Sequence, residues 1–297
     1  MDPIKLYTLV LPLLVAAIVV EALYYRFVLE RPYRWAVTGS NLVVAVGRLA
    51  TDATTKGLVV LAYLAAYEVR LLDIAMDRWE SWVALFLAVE VAYYWLHRCS
   101  HEIRWMWAQH SVHHSAQQIT LSVAYRLGWT QFIAGPWLFL LPVCWIGFDP
   151  RAVMLMYAAN LLYQFWLHTE AVGRLGWLEH VLNTPSNHRV HHAIEPDYLD
   201  RNYGGVLIVW DKLFGTYAAE RQGAPITYGL VRQIDTLNPV KIAFAEWLAL
   251  ARDLRTARSL REALGYLFGA PGWKPDGRGL TSKAIRQTAS TAAPARV

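Results

Sequence analysis

W-V-A-L-F-L-A-V-E-V-A-Y-Y-W-L-H-R-C-S-H, residues 82–101, is an apolar run interrupted by Glu90 that leads directly into two histidines. Read at the helical period, Glu90, Tyr94, His97 and His101 fall at i, i+4, i+7 and i+11, so the segment predicts a helix with one polar stripe. Ionisable groups inside apolar spans are costly, which makes their alignment informative. The stripe ends in two imidazoles on one face, and histidine supplies a neutral nitrogen donor near physiological pH.

The same device recurs along the chain. H-S-V-H-H at residues 110–114 and N-H-R-V-H-H at residues 187–192 place His110, His113, His114, His188, His191 and His192 at i, i+3 and i+4 spacing. Asn160, Gln164 and His168 make a further stripe. So many imidazoles cannot be buried in an apolar chain without protons or metal to satisfy them. His97, His101, His110, His113, His114, His168, His188, His191 and His192 are therefore read as a metal centre, and His180, with no histidine companion, is left out.

Ligand counting restricts the metal. A structural zinc takes about four donors and a catalytic zinc about three, so this set is too large for one ion. Two ions with five or six positions each leave places for water, oxygen or a bridging group, which favours two irons. A zinc protease is excluded, because Glu102 follows His101 with no second histidine at H-E-x-x-H spacing and there is no Cys-x-x-Cys. Glu90 and Gln164 are candidates to orient ligand imidazoles through their free N–H groups, as are Glu102, Glu170, Asp200 and Asp211 by proximity in sequence. Interhelical hydrogen bonding is the alternative reading of the same residues. Tyr94 and Asn160 are candidates for lining a substrate path.

The 297 residues are 56% hydrophobic, with 14 Trp and 16 Tyr, which predicts a polytopic, all-α integral membrane bundle with about four to five embedded helices. The apolar runs are 6–29, 57–67, 82–96, 132–148 and 152–167. The first is long enough to span alone, the second if it continues to about Leu72, and the third if it begins near Met76. The last two, joined by G-F-D-P with Asp149 as N-cap and Pro150 at the first helical position, predict a hairpin reaching partway. Arg26, Arg31, Arg34, Arg48 and Lys56 follow the first run and place that loop in the cytoplasm, which brings every histidine set to the same face. A cleaved signal is disfavoured, since only Lys5 against Asp2 flanks the first run and no small-x-small site precedes Glu21.

Cys99 and Cys144 do not make a disulfide framework. The formal charge of +5 is dispersed beside apolar runs, so an anionic membrane surface accounts for it better than nucleic acid. Residues 239–267 read as helical, with Arg252, Arg255, Arg258 and Arg261 on one side and Leu250, Leu254, Leu260 and Leu264 elsewhere; headgroup contact and a solvated face remain open. The domain is taken as residues 1–269, with a histidine core at 82–219. Residues 270–297 form a tail that, after Trp273, has the composition of disorder.

The strings Y-W-L-H-R-C-S-H-E, H-S-V-H-H-S, Q-F-W-L-H-T-E and T-P-S-N-H-R-V-H-H, followed by Y-L-D-R-N-Y-G-G-V-L-I-V-W-D-K-L-F-G-T, resemble the fatty acid hydroxylase and sterol desaturase superfamily over about Trp82 to Ala219. The resemblance implies a membrane di-iron oxygenase that uses O2 and two electrons to hydroxylate or desaturate a lipid, with its histidines capping the bundle on the cytosolic side. The eight clustered histidines take the family's ligand positions, and His168 takes the ninth. Asn187 stands where the family often has a histidine, which bears on an additional ligand or hydrogen bond and not on the centre itself. The chain has no four-cysteine cluster and no G-x-G-x-x-G, so a reductase, ferredoxin or pterin is the implied electron donor. A desaturase on the same scaffold, a metal transporter and a zinc lipid hydrolase are the rival readings, the transporter weakened because the histidines sit at span ends.

Overall fold

The computed structural model describes the backbone of residues 3–292 and the side chains of residues 12–291. Among these, the elements are α1 (Pro3–Phe27), α2 (Trp35–Glu68), α3 (Trp79–Glu102), α4 (Arg104–His114), α5 (Gln131–Ala134), α6 (Leu141–Ile146) and α7 (Pro150–Phe165). After them come α8 (Pro185–His191), α9 (Val209–Leu213), α10 (Pro239–Leu254), α11 (Leu260–Phe268) and α12 (Ser282–Ala292). Two isolated antiparallel bridges, Leu182 with Leu207 and Ala193 with Tyr228, are the β structure of the described residues. The chain is all-α, as composition and periodicity led us to expect.

Capping chemistry sets the starts of α7, α8 and α10. Asp149 accepts from the Arg151 amide at 2.7 Å, with Pro150 at the first position of α7. Thr184 accepts from the Asn187 amide ahead of Pro185 in α8, and Asn238 accepts from two amides ahead of Pro239 in α10. Tyr63 from α2, Leu85 and Val89 from α3, and Val143, Cys144 and Val153 from α6 and α7 bury their side chains together. Val44, Val112 and Ile242 join α2, α4 and α10 in a second small core. Both cysteines are free thiols.

Three expectations change. Among the described residues no helix is long and apolar enough to cross a membrane. The second run is the end of α2, a 34-residue helix that starts at Trp35 and so takes in Arg48, Asp52 and Lys56. The connection between α1 and α2 therefore retains Arg31 and Arg34 of the five charges used to orient the chain. The run 132–148 is not one helical arm. Gly135, with φ of 88°, and two prolines divide it into α5, a 3-10 turn at Pro136–Leu140 and α6. The flank of Asp2 and Lys5 lies outside the described side chains.

The C-terminal third also differs from the pattern. Residues 239–267 are two helices broken at Arg255–Ser259; Arg252, Arg255, Arg258 and Arg261 are exposed while Leu250 is buried. Beyond Trp273, where composition predicts disorder, the chain forms α12. Trp273 sits edge-on to Tyr266 at 5.4 Å, and Lys274 pairs with Asp253 at 2.5 Å, so this segment packs back onto α10 and α11. Residues 293–297 lie outside the description.

Candidate metal centre

α3 ends with His97 and His101 one turn apart, and the extended residue Ile103 turns the chain into α4. α4 carries His110, His113 and His114, α8 carries His188 and His191 with His192 at its C-cap, and His168 sits in the turn after α7. Their donor nitrogens converge in two groups, each with all donors within 4.8 Å of one another. One is His97, His101, His110, His114 and His191; the other is His113, His168, His188 and His192.

The groups do not follow the sequence sets. Successive helical residues are about 100° apart, so His113 and His114 face different groups, as do His191 and His192. Each H-x-x-H-H string thus serves both groups. His114 and His192 stack across the boundary with centroids 4.3 Å apart.

Proton assignment shows what these nitrogens offer. Nδ1 of His97 donates to the Tyr203 carbonyl at 2.8 Å, that of His191 to the Arg201 carbonyl at 2.9 Å, and that of His168 to the Gln164 carbonyl at 2.9 Å. A carbonyl only accepts, so each ring carries its proton on Nδ1 and presents a bare lone pair at Nε2. Those lone pairs meet other imidazole nitrogens: His97 Nε2 is 3.1 Å from His110 Nε2, and His168 Nε2 is 3.1 Å from His113 Nε2 and 2.9 Å from His188 Nε2. His101 Nε2 and His191 Nε2 are buried with no partner. Adjacent nitrogens bound to one ion at about 2.1 Å and right angles are about 3 Å apart, which is the spacing found. The residues fit a bound cation in each group.

Burial holds the imidazoles of His110, His113, His114, His188, His191 and His192 well below the ordinary histidine range, and neighbouring imidazoles push the same way. His168 is brought down to about 4 by burial. Neutral rings are the form that binds metal.

Most of the orienting work is done by backbone. Asp200, Arg201 and Tyr203 serve three of the five imidazoles in the first group: Asp200 Oδ1 lies 3.5 Å from His101 Nδ1, and the carbonyls of Arg201 and Tyr203 take His191 and His97. Asp200 and Asn202 adopt left-handed φ of 53° and 57°, which turns these acceptors inward. Asp211 accepts from the amides of Tyr203 and Gly204, each at 2.7 Å, and Asn202 donates to the carbonyls of Asn187 and Ala218. A Cβ at Gly204 would collide with the Leu207 carbonyl, so the turn requires glycine.

The remaining expected residues divide. Gln164 orients His168 through its carbonyl, while its side chain accepts from Tyr93 and donates to Asn160. Glu90 touches no imidazole; it accepts from the amides of Val206 and Leu207 and from Asn160, tying α3 and α7 to the 203–207 turn. Tyr94 bonds Thr216, which donates to Asp211, so it belongs to the same support. Glu102 pairs with Arg98 and is half exposed, and Glu170 accepts from Tyr25. Asn187 donates to the carbonyls of Glu179 and Leu182. His180 faces Lys212. The carbonyls of Arg201 and Tyr203 were missed by sequence reasoning, although Asn202 and the glycine pair in D-R-N-Y-G-G mark a turn of unusual backbone.

These features define a helical protein whose histidines form two adjoining groups able to hold metal. Residues 82–216 match the model of the fatty acid hydroxylase family. It is 40% identical to alkylglycerol monooxygenase of Homo sapiens over 206 residues, 69% of this chain and 45% of that protein. Identity to alkylglycerol monooxygenase of Xenopus tropicalis is 34% over 262 residues, 85% of this chain and 58% of the relative. Ornithine lipid hydroxylase OlsE of Rhizobium tropici is 26% identical over 144 residues, 48% of this chain and 44% of that protein. The chain thus spans about half the length of the curated relatives it matches. No solved structure matches it.

Proposed function

We propose that this chain is a membrane-bound di-iron monooxygenase that hydroxylates a C–H bond of a lipid, with alkylglycerols the first substrate class to test. The observation that carries the reading is the pair of adjoining histidine groups, five donors beside four, which on six-coordinate ions leave one position free at the first and two at the second. Two irons held there would supply the reductive use of O2: one oxygen enters the C–H bond, and the other leaves as water with two electrons and two protons.

The chain's own residues fix and shield that centre. The Asp200–Tyr203 turn and the Gln164 carbonyl set ring orientation, and near-complete burial of His168, His188 and His192 excludes water from the second group. The electrons come from a separate reductase, ferredoxin or pterin, because the chain has no motif for a redox cofactor of its own. The names of the relatives, each a lipid-modifying hydroxylase or monooxygenase, support the substrate class.

Membrane embedding is part of the proposal. Leu13, Val20, Leu23, Val46, Leu49, Leu58 and Leu61 on α1 and α2 are each more than half exposed. Proteins in water rarely present a continuous apolar face of this kind. In this reading α1, α2, most of α3 and residues 131–165 meet lipid, the histidines face the cytoplasm, and residues 1–269 form the hydroxylase unit to which 270–297 are appended.

The test is lipid mass spectrometry of cells carrying the chain, a His114→Ala variant, or neither. The expected result is a lipid that gains one oxygen only with the intact chain. A lipid that loses two hydrogens would convert the assignment to a desaturase. Full iron occupancy in purified protein without oxygenation of any lipid class would overturn it.

A further inference from the structure

The family model ends at residue 216, yet the turn that orients the first imidazole group is also touched from the far end of the chain. Arg286, in α12, donates through Nη1 to the Leu199 carbonyl at 2.7 Å. The next residue, Asp200, holds its carboxylate 3.5 Å from His101 Nδ1. Asp200 is in the left-handed region, which aspartate adopts more readily than most residues, and Arg286 fixes the carbonyl immediately before it. His101 Nε2, on the other side of the ring, is a buried nitrogen without a partner.

We propose that Arg286 is a positioning residue for the first metal position: by anchoring Leu199 it holds Asp200 against His101 and so aims His101 Nε2 into the group of five. This deepens the metal-centre reading and rests on it. Burial alone would raise the Asp200 carboxyl, but the neighbouring His101 and Ser282 side chains and the charge of Arg286 outweigh it and keep it below the ordinary aspartate range. A carboxylate on Nδ1 also raises the basicity of the bound nitrogen, and losing such a partner typically weakens metal binding about 10–100-fold. A segment whose composition reads as a loose tail thus becomes part of the metal site.

The experiment uses full-length protein with Arg286→Ala, Arg286→Lys, Asp200→Asn and the double variant Arg286→Ala/Asp200→Asn, with Gln287→Ala as a control on the exposed side of α12. Each is loaded with Co(II) or Fe(II); metal per chain, affinity and the Co(II) absorption spectrum are measured. The expected result is two ions in the unaltered chain and in Gln287→Ala. In Arg286→Ala one ion binds at least about tenfold more weakly, with a changed spectrum, and Arg286→Lys recovers part of the loss. Asp200→Asn reproduces the defect and adding Arg286→Ala to it costs little more, which general loosening of α12 would not produce. Two ions of unchanged affinity and spectrum in Arg286→Ala would overturn the inference while leaving the metal centre standing. An unaltered chain that binds no metal would remove the centre and the inference with it.

Discussion

His114 and His192 stack with ring centroids 4.3 Å apart and planes 21° from parallel, yet they belong to different donor groups. The wall between the two candidate metal positions is therefore made of two candidate ligands and no spacer. His113 reinforces it, with its ring 5.4 Å from His114 in the first group and 4.6 Å from His192 in its own.

Because neighbours in sequence serve different groups, paired substitutions should separate the ions. His114→Ala with His191→Ala removes two donors from one group and leaves the other intact, so about one ion per chain should remain. His114→Ala with His192→Ala takes a donor from each and should deplete both. Metal analysis of the loaded proteins checks this. Equal loss in the two variants would show that the groups do not act as separate positions.

Acid should destabilise the metal-free protein in a defined window. The buried imidazoles titrate lower in the folded state than in the unfolded chain, where histidine lies near 6.5. Above that value both states are neutral and stability is flat. As pH falls from about 6.5 toward about 4, where His168 begins to titrate in the fold, the unfolded chain takes up protons that the folded chain refuses, and stability is lost. Thermal unfolding in detergent, with chelator, should show a midpoint constant above about pH 7 and falling steeply below 6.5. Bound metal stabilises the folded form and should move the fall to lower pH.

Glu90 gives a test of support without ligation. It is fully buried and accepts from two backbone amides and one side-chain amide. Glu90→Ala orphans these three donors and should cost about 3 kcal/mol or more in denaturant unfolding, since each buried unsatisfied group costs about 1–3 kcal/mol. Metal per chain measured at low temperature should fall less than in any histidine variant. Loss of both ions with unchanged stability would instead make Glu90 part of the metal site.

The donor set was legible in sequence because clustered imidazoles at i, i+3 and i+4 are too costly to bury in an apolar chain unless a metal takes up their lone pairs. The split into groups was not, because it depends on how α3, α4 and α8 pack and which way each rotates. Glu90 was visible as a costly acid inside an apolar run and Asp211 only by its proximity in sequence to the histidines, but both accept from amides of the 203–207 turn, and no side-chain pattern marks a backbone partner. The C-terminal helix was missed for a related reason. Small polar residues carry little periodic signal, and α12 is fastened by contacts such as Arg286 with Leu199, which lie far apart along the chain.

Asn187, where the sequence resemblance leads to the expectation of a histidine, is the position where resemblance and geometry make different demands. It is fully buried in α8, donates to the carbonyls of Glu179 and Leu182, and accepts the Asn202 side chain at its own carbonyl. Its side chain is thus committed to the 179–182 segment and not to either imidazole group. Asn187→His should add no ion and leave the Co(II) spectrum unchanged. The larger ring must fit a filled space and gives up one of two donated hydrogen bonds, so stability should fall by about 1–3 kcal/mol in denaturant unfolding. A third ion, or a shifted Co(II) spectrum at unchanged stability, would mean that position 187 reaches the metal centre after all.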